Sequence, residues 1–262
     1  EPTFDNRFQS SLMDNRLQSD WKYFNSNSLT THFGAQVSYK THQPNNTNAQ
    51  NILTENQIIP VLEGALYFDE NIDFWENSSL KVGGRFNYYQ NDRYSDFDFV
   101  QRGQLAVGIS SNQWLLARFT AANQYAHLLY TTGDIGANEI WIPADEEAPA
   151  SRSTQYSLGY KANFQQSNWQ MESAIYYKEL NKLTTYKEGV AAVLGDSNWK
   201  NKITSGGKGE SMGWETMLKK SKGRWTGFAS YTLSKTEYQF PEINNGNAYV
   251  FEYDRPHIFN VN

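Results

Sequence analysis

The residues with the clearest capacity for ligand chemistry are aromatic and acidic side chains that lie between segments of alternating polarity. Aromatic rings in loops can stack on sugars or on a chelate ring, but they can equally anchor a chain at a membrane interface or pack on one another. Carboxylates can bind Ca²⁺, although an acidic run is more often a solvated loop, so no metal site is predicted. The candidate ligand-binding residues are Trp141, Asp145, Glu146, Glu147, Tyr186, Trp199, Tyr238, Phe240 and Tyr249.

The residues that catalysis would require are scattered along the chain. The four histidines are well separated and show no paired spacing of the kind that binds a metal. The run Gly206-Gly207-Lys208-Gly209 lacks the spacing and the Ser or Thr of a phosphate loop, and we interpret it as the flexible end of a long loop. There is no Cys, hence no disulfide or thiolate site. The sequence therefore predicts a protein that is not an enzyme and has no cofactor.

The composition limits the class of protein. A net charge of -5 without a basic block argues against nucleic acid as a partner. Aromatic residues make up 15% of the 262 residues, yet the chain is polar and no apolar run is long enough for a transmembrane helix. A membrane β-barrel with a polar lumen and an apolar outer face accommodates both properties. Composition alone equally allows a soluble all-β domain with aromatic cross-strand pairs.

Strict alternation of polarity predicts β-strands with one apolar and one polar face. In 169–178, for example, Trp169 and Met171 share one face while Gln170 and Glu172 share the other. The predicted lumen charges are mixed in sign, which suits either ion selectivity in a pore or the grip on a plug. They are Lys81, Arg85, Lys161, Glu172, Lys178, Glu215 and Lys219.

Short and long connections alternate along the chain. Strands are predicted near 6–24, 28–42, 58–74, 79–91, 98–109, 113–127, 153–165, 169–185, 209–220 and 224–239, and from 257 onward. Polar turns at 25–27, 76–78, 110–112, 166–168 and 221–223 alternate with longer connections at 43–57, 92–97, 128–152, 186–208 and 240–252. Short turns on one rim and long loops on the other are typical of outer-membrane barrels. The predicted fold is all-β, an antiparallel transmembrane β-barrel with about eleven strands present.

Aromatic residues lie near both predicted rims, as the two interfacial belts of a membrane wall require. The tryptophans beside short turns are Trp75, Trp114, Trp169 and Trp225, and the tyrosines near the long connections are Tyr88, Tyr89, Tyr176 and Tyr177. A single Trp beside a turn could simply stabilise a hairpin. Four of them favour the membrane interpretation.

An ordered series of motifs occupies the chain from about residue 141 to the end. It comprises Trp141-Ile142-Pro143-Ala144, 153–160, Ile175-Tyr176-Tyr177-Lys178, 208–215, 230–236, Ile243-Asn244-Asn245-Gly246 and Tyr253-Asp254-Arg255-Pro256-His257. In this order and spacing the motifs resemble the barrel of TonB-dependent outer-membrane receptors. Residues 1–140 are compatible with the resemblance but match it less closely.

The resemblance implies a barrel of about 22 strands, closed by an N-terminal plug domain that a TonB box couples to the inner membrane. Residues 1–262 show neither plug nor TonB box, so we expect them to be a partial receptor barrel. It also implies active import of a scarce nutrient, of the siderophore, corrinoid or glycan type, across the outer membrane of a Gram-negative bacterium. The implied partners are the TonB complex acting through the plug, membrane lipid and the small nutrient.

Tyr253, Asp254, Arg255, Pro256 and His257 match the motif with which strands of this family begin. The resemblance gives these residues a structural role. We expect Asp254 and Arg255 to form a local pair that fixes the returning loop.

Two other functions stay open on the residues alone. A passive outer-membrane porin or sugar channel would fold a constriction loop inward, and the segment 128–152 is long enough to be one. A soluble β-sheet binding module would have no need of an apolar outer face. A hydrolase within a barrel is disfavoured, because no strand region pairs a Ser with a His.

Overall fold

The computed structural model describes residues 8–47, 58–133, 136–164, 168–190 and 199–262. Over these residues the chain is almost entirely β-strand, with short 3₁₀ turns at Trp199–Lys202 and Asn244–Gly246. The described part contains no helix of the length and apolarity that a membrane crossing requires. The strands are β1 (Phe8–Phe24), β2 (Leu29–Thr47), β3 (Ile59–Trp75), β4 (Ser78–Gln90), β5 (Ser95–Ser110), β6 (Gln113–Gln124), β7 (Ala126–Gly133), β8 (Gly136–Pro143), β9 (Ser151–Phe164), β10 (Trp169–Tyr186), β11 (Ile203–Lys220), β12 (Gly227–Gln239), β13 (Tyr249–Val250) and β14 (His257–Val261).

One antiparallel sheet forms a wall in which successive strands pair with each other. Its order is β1-β2-β3-β4-β5-β6-β9-β10-β11-β12, and β13 and β14 both pair with β12. Because β13 and β14 pair with different stretches of β12, they act as one interrupted strand, and the wall has eleven strand positions. The predicted all-β antiparallel wall of about eleven strands is confirmed. The wall is not closed into a barrel within the described residues.

A hairpin of β7 and β8 lies inside the wall, where the sequence predicted only a long connection. β7 lies against β10, whereas β8 lies against β1 and β2. On a flat sheet β2 and β10 would be about 29 Å apart, because neighbouring strands are spaced by about 4.8 Å. One hairpin contacts both, so the sheet must curve around it. We call residues 125–150, which contain this hairpin, the strap.

Cross-strand pairing sorts the wall side chains into two faces. The apolar face exposes large side chains such as Leu17, Leu66 and Ile175, which are 73%, 62% and 56% exposed. The opposite, polar face carries Arg85 and, four residues along β4, Tyr89, which packs against the strap. All seven predicted lumen charges lie on this polar face, as predicted.

Ion pairs join different strands on the polar face. Arg102 on β5 donates through Nε and Nη2 to both carboxylate oxygens of Asp69 on β3. Lys40 on β2 donates to Glu63 on β3 at 2.7 Å. Such partly exposed pairs each contribute at most about 1 kcal/mol. The opposite charges of Lys40 and Glu63 on adjacent strands also favour the observed register.

The boundaries of five strands differ from the predicted ones by three residues or more. β2 continues to Thr47, β5 begins at Ser95, β6 ends at Gln124, β11 begins at Ile203 and β12 begins at Gly227. The interpretation of 206–209 as a flexible loop end is therefore wrong. A Cβ on Gly207 would overlap the ring of Phe240, so this glycine makes room for an aromatic side chain. Residues 6–7, 48–57, 134–135, 165–167 and 191–198 of the predicted strands and connections lie outside the described residues.

The predicted aromatic belts are only partly correct. Trp75 and Trp225 beside short turns are 73% and 77% exposed. Trp114, however, pairs with Lys161 on the polar face, and its Nε1 donates to the carbonyl oxygen of Asn77 at 2.9 Å. Tyr89 also faces inward, because adjacent residues of a strand point to opposite faces and Tyr88 occupies the apolar one. Tyr176 shares the polar face with Lys178, two residues along β10. Trp114, Tyr89 and Tyr176 are therefore not belt residues.

Candidate functional site

The strap is fastened to β4 through the backbone of Ala144. The Ala144 N–H donates to the carbonyl oxygen of Tyr125 at 2.8 Å, and its own carbonyl oxygen accepts from Tyr89 Oη and Asn91 Nδ2, both at 2.7 Å. The Tyr89 ring stacks on Tyr125 with centroids 4.7 Å apart and planes 8° apart. With Val61 and two strap alanines these rings form a buried cluster.

A second buried cluster also fastens the strap. Leu129 and Ile142 of the hairpin pack with Trp199 of the 3₁₀ turn and with Ile203 at the start of β11. Trp199 is only 2% exposed, and its Nε1 has no hydrogen-bond partner among the described residues. The structure thus places this predicted ligand-binding residue in a core.

The acidic cluster also fastens the strap. The buried Asp145 accepts through Oδ1 from the N–H groups of Glu147 and Ala148, and through Oδ2 from Lys200 Nζ at 2.5 Å. Lys200 also donates to Glu147, at 3.1 Å. Partial burial lowers the pKa of Lys200, but the hydrogen bonds to the two carboxylates outweigh burial and raise that pKa overall. Glu146 is exposed, and no three metal-ligating residues cluster in the described part of the chain.

Four of the predicted ligand-binding residues line one cleft. The cleft encloses about 760 Å³ between the strap, β9, β10 and the connection that follows β12. Such a volume suits a small molecule. Phe240 is 1% exposed and forms part of the cleft floor, and the tilted rings of Tyr238 and Phe251 contact each other with centroids 4.4 Å apart. The four residues are Tyr186, Tyr238, Phe240 and Tyr249.

The cleft is lined by three cationic side chains, Lys178, Lys187 and Arg152, and by one carboxylate, Glu252. Lys178 and Lys187 line the cleft and have no carboxylate partner among the residues that the structure describes. Arg152 is also there, but it is paired with Asp96 at 3.7 Å and with Asp98 at 3.4 Å. Neither lysine was predicted to bind ligand. The sequence feature that could have predicted Lys178 as a ligand-binding residue was its place on the polar face near a long connection.

Two groups of predicted residues lie away from the cleft lining. Trp141 on β8 is 38% exposed and does not line the cleft. The predicted pair between Asp254 and Arg255 is not formed. Instead, Asp254 Oδ1 accepts from the backbone N–H of Thr236 at 3.1 Å, in the gap between β13 and β14. His257 Nδ1 lies 2.8 Å from Tyr231 Oη, where β14 begins.

The strap should loosen at mildly acidic pH because of His127. This residue is 4% exposed, and its Nε2 lies 3.1 Å from the carbonyl oxygen of Ala148. Burial lowers the pKa of His127 below its ordinary value of 6.5, although the Ala148 carbonyl and the Asp145 charge act in the opposite direction. The closed strap therefore binds fewer protons than the open one, and its stability falls as the pH drops below 6.5.

Hydrogen exchange of the strap amides, expressed as protection factors, tests this prediction. Protection of residues 144–148 should be constant above pH 7 and should decrease as the pH falls below 6.5. In His127→Gln that decrease should disappear, while the carboxylate-dependent loss at lower pH remains. An unchanged pH profile in the variant would contradict the assignment to His127.

A match to the model of a known protein family identifies the family of this chain. The model described as "TonB dependent receptor-like, beta-barrel" matches residues 2–262. The chain belongs to this family. A search of curated proteins gives no match.

Solved structures of an iron transporter and of two receptors share the fold of the chain. The siderophore receptor PirA from Pseudomonas aeruginosa is 16% identical with a TM-score of 0.63, over 96% of this chain and 50% of PirA. The FrpB iron transporter from Neisseria meningitidis is 9% identical with a TM-score of 0.64, over 90% of this chain and 37% of FrpB. The alcaligin receptor FauA from Bordetella pertussis is 16% identical with a TM-score of 0.58, over 98% and 43%. The chain thus spans half or less of each of these proteins.

Family membership also bears on the alternatives left open by the sequence. The strap is an inward-folded segment of the kind that the porin interpretation required. The match over residues 2–262 nevertheless assigns the wall to TonB-dependent receptors. In such a barrel the apolar face is the one that contacts lipid, and the polar face lines the lumen.

Proposed function

We propose that this chain is part of the barrel domain of a receptor that imports a small nutrient across the outer membrane of a Gram-negative bacterium. The ligand is an anionic chelate with conjugated rings, and it binds in the cleft between the strap and β9–β12. A plug domain held by the polar face would transmit the pull of the TonB complex and open the path.

The composition of the cleft carries the proposal. Aromatic rings of Tyr249 and Phe251 offer stacking surfaces, and the unpaired cations Lys178 and Lys187 offer charge-assisted hydrogen bonds to an anion. Similar structures include an iron transporter, a siderophore receptor and a ferric-catecholate import receptor. A ferric catecholate chelate has both the rings and the negative charge.

The binding experiment uses the full-length receptor in detergent, with a ferric catecholate chelate as the probe. Lys178→Gln and Lys187→Gln should each weaken binding about 10- to 100-fold, because each removes a hydrogen bond to a charged group. Tyr249→Ala should weaken binding by a smaller factor, about tenfold, through lost stacking. Binding is measured by quenching of the intrinsic tryptophan fluorescence.

Lys235→Gln is the matched control. Lys235 is an exposed lysine on the apolar face that pairs with Glu237 at 2.9 Å, outside the cleft. Its replacement should leave the dissociation constant within about twofold. Equal losses in Lys235→Gln and in the cleft variants would contradict the proposed site. A neutral oligosaccharide that binds the receptor and keeps its affinity in both cleft variants would instead favour a glycan ligand.

A further inference from the structure

The apolar face carries a groove across its first five strands. Two neighbouring rows of side chains form it, and the register of the strands defines both rows. The row nearer the long connections is Leu17, Val37, Gly64, Tyr88 and Phe97, and the next row is Ser19, Ala35, Leu66, Phe86 and Phe99. The small residues Ser19, Ala35 and Gly64 lie diagonally across the two rows and form the floor of the groove.

The groove is open, apolar and free of charge. It encloses about 420 Å³, and no charged side chain lines it. Leu17 and Phe97 on its two sides are 73% and 66% exposed, so among the described residues no other side chain covers them. It lies on the face opposite the strap and the ligand cleft, and it is continuous with the lipid-contacting face of the wall.

The end of the groove nearer the long connections meets a polar row. That row is Asn15, Tyr39, Leu62, Gln90 and Ser95, two residues along each strand from Leu17, Val37, Gly64, Tyr88 and Phe97. Tyr88 Oη donates to Gln90 Oε1 at 2.8 Å within this region. An apolar groove that leads to uncharged hydrogen-bonding groups matches an amphiphile with its polar end toward the long connections.

We propose that this groove is a binding site for one acyl chain of an outer-leaflet lipid. The inference rests on the proposed outer-membrane location. A lipid tail meets the same apolarity in the bulk membrane as in the groove, so apolarity alone does not hold a chain there. Close packing does, because the side chains that line an unfilled groove lose their dispersion contacts. The ester or amide group of the lipid would reach the polar row, where the hydroxyl and amide groups can hydrogen-bond to it.

Gly64→Phe tests the site by filling the groove from its floor. A Cβ at Gly64 would have its nearest neighbour, Tyr88 Cβ, at 3.9 Å, and Gly64 has no left-handed backbone. Gly103→Phe is the matched control. Gly103 lies on the same face in β5 but outside the groove, and its added Cβ would also be 3.9 Å from the nearest atom.

The measurement is native mass spectrometry of the full-length receptor purified from outer membranes in detergent. We expect about one retained lipid per molecule for the unaltered receptor and for Gly103→Phe, and about tenfold less for Gly64→Phe. Equal lipid retention in the two variants, or no retained lipid in the unaltered receptor, would overturn the proposal. If Gly64→Phe fails to fold, Ala35→Leu narrows the same groove and replaces it in the comparison. A receptor that does not sediment with outer membranes would refute the proposed location rather than the groove.

Discussion

Tyr89→Ala is expected to release the strap from the wall while leaving the wall folded. Tyr89 is fully buried, stacks on Tyr125 and donates to the carbonyl oxygen of Ala144. Truncating a buried aromatic side chain to alanine costs about 3–5 kcal/mol. The ring contributes only to the strap cluster, so the cost falls on the closed strap. The Ala144 carbonyl oxygen keeps Asn91 Nδ2 as a donor and is not left without a partner.

Hydrogen exchange measures this release. Protection of the Ala144 amide, which donates to Tyr125, should fall about 10²- to 10³-fold, while the amides that pair β4 with β3 keep their protection. Tyr89→Phe keeps the ring and loses one hydrogen bond, so protection should fall only about three- to tenfold. Tyr88→Ala removes the neighbouring ring from the opposite face and should leave strap exchange unchanged. Protection in Tyr89→Ala within threefold of the original would contradict the role assigned to Tyr89.

Trp199→Ala is expected to open the 3₁₀ turn that packs against the strap. The indole packs against Leu129, Ile142 and Ile203, and Lys200 Nζ lies 5.4 Å from its ring centroid. Loss of this side chain should cost about 3–5 kcal/mol of local stability. Trp199→Phe should cost much less, because it keeps an aromatic ring and removes a buried indole N–H that has no partner in the described part of the chain.

Trypsin reports on this turn directly. Lys200 is held by Asp145 in the closed structure, so cleavage after Lys200 should accelerate about 100-fold or more in Trp199→Ala. Cleavage in the exposed short turn at Lys222 should not change and serves as the internal reference. Trp225→Ala, which removes a 77% exposed indole, is the control variant. Equal cleavage rates after Lys200 in Trp199→Ala and Trp225→Ala would contradict a structural role for Trp199.

The wall was predictable from the sequence because its two faces meet different environments. Alternation over 169–178 placed Trp169 and Met171 on one face, and the observed pairing with β11 agrees. The strap was not predictable in the same way. The hairpin strands lie inside the curved sheet rather than in its wall, so no lipid-facing side imposes a period of two. Gly207 was misread for a related reason, since the need for a glycine arises from Phe240, a residue distant in sequence.

The candidate site was predictable only as a set of residue types. Tyr186 and Tyr238 lie on different strands, and only the sheet order shows that they line the same cleft. Trp199 and Asp145 are of residue types that suit a ligand, but Trp199 packs against the strap and Asp145 pairs with Lys200. Whether the Trp199 ring or the Asp145 carboxylate is free to bind a ligand depends on contacts between segments that are distant in sequence. Periodicity along the chain carries no information about those contacts.

The contacts of β7 with β10 and of β8 with β2 make the strap a chord across the arc of the wall. Because the chord has a fixed length, it sets the radius of the arc. The strap, which lies inside the wall, therefore determines the diameter of this part of the barrel. The aromatic cleft lies at the end of this chord that contacts β10. In the proposed import, a molecule bound in the cleft would therefore leave it past β10, where the strap meets the wall.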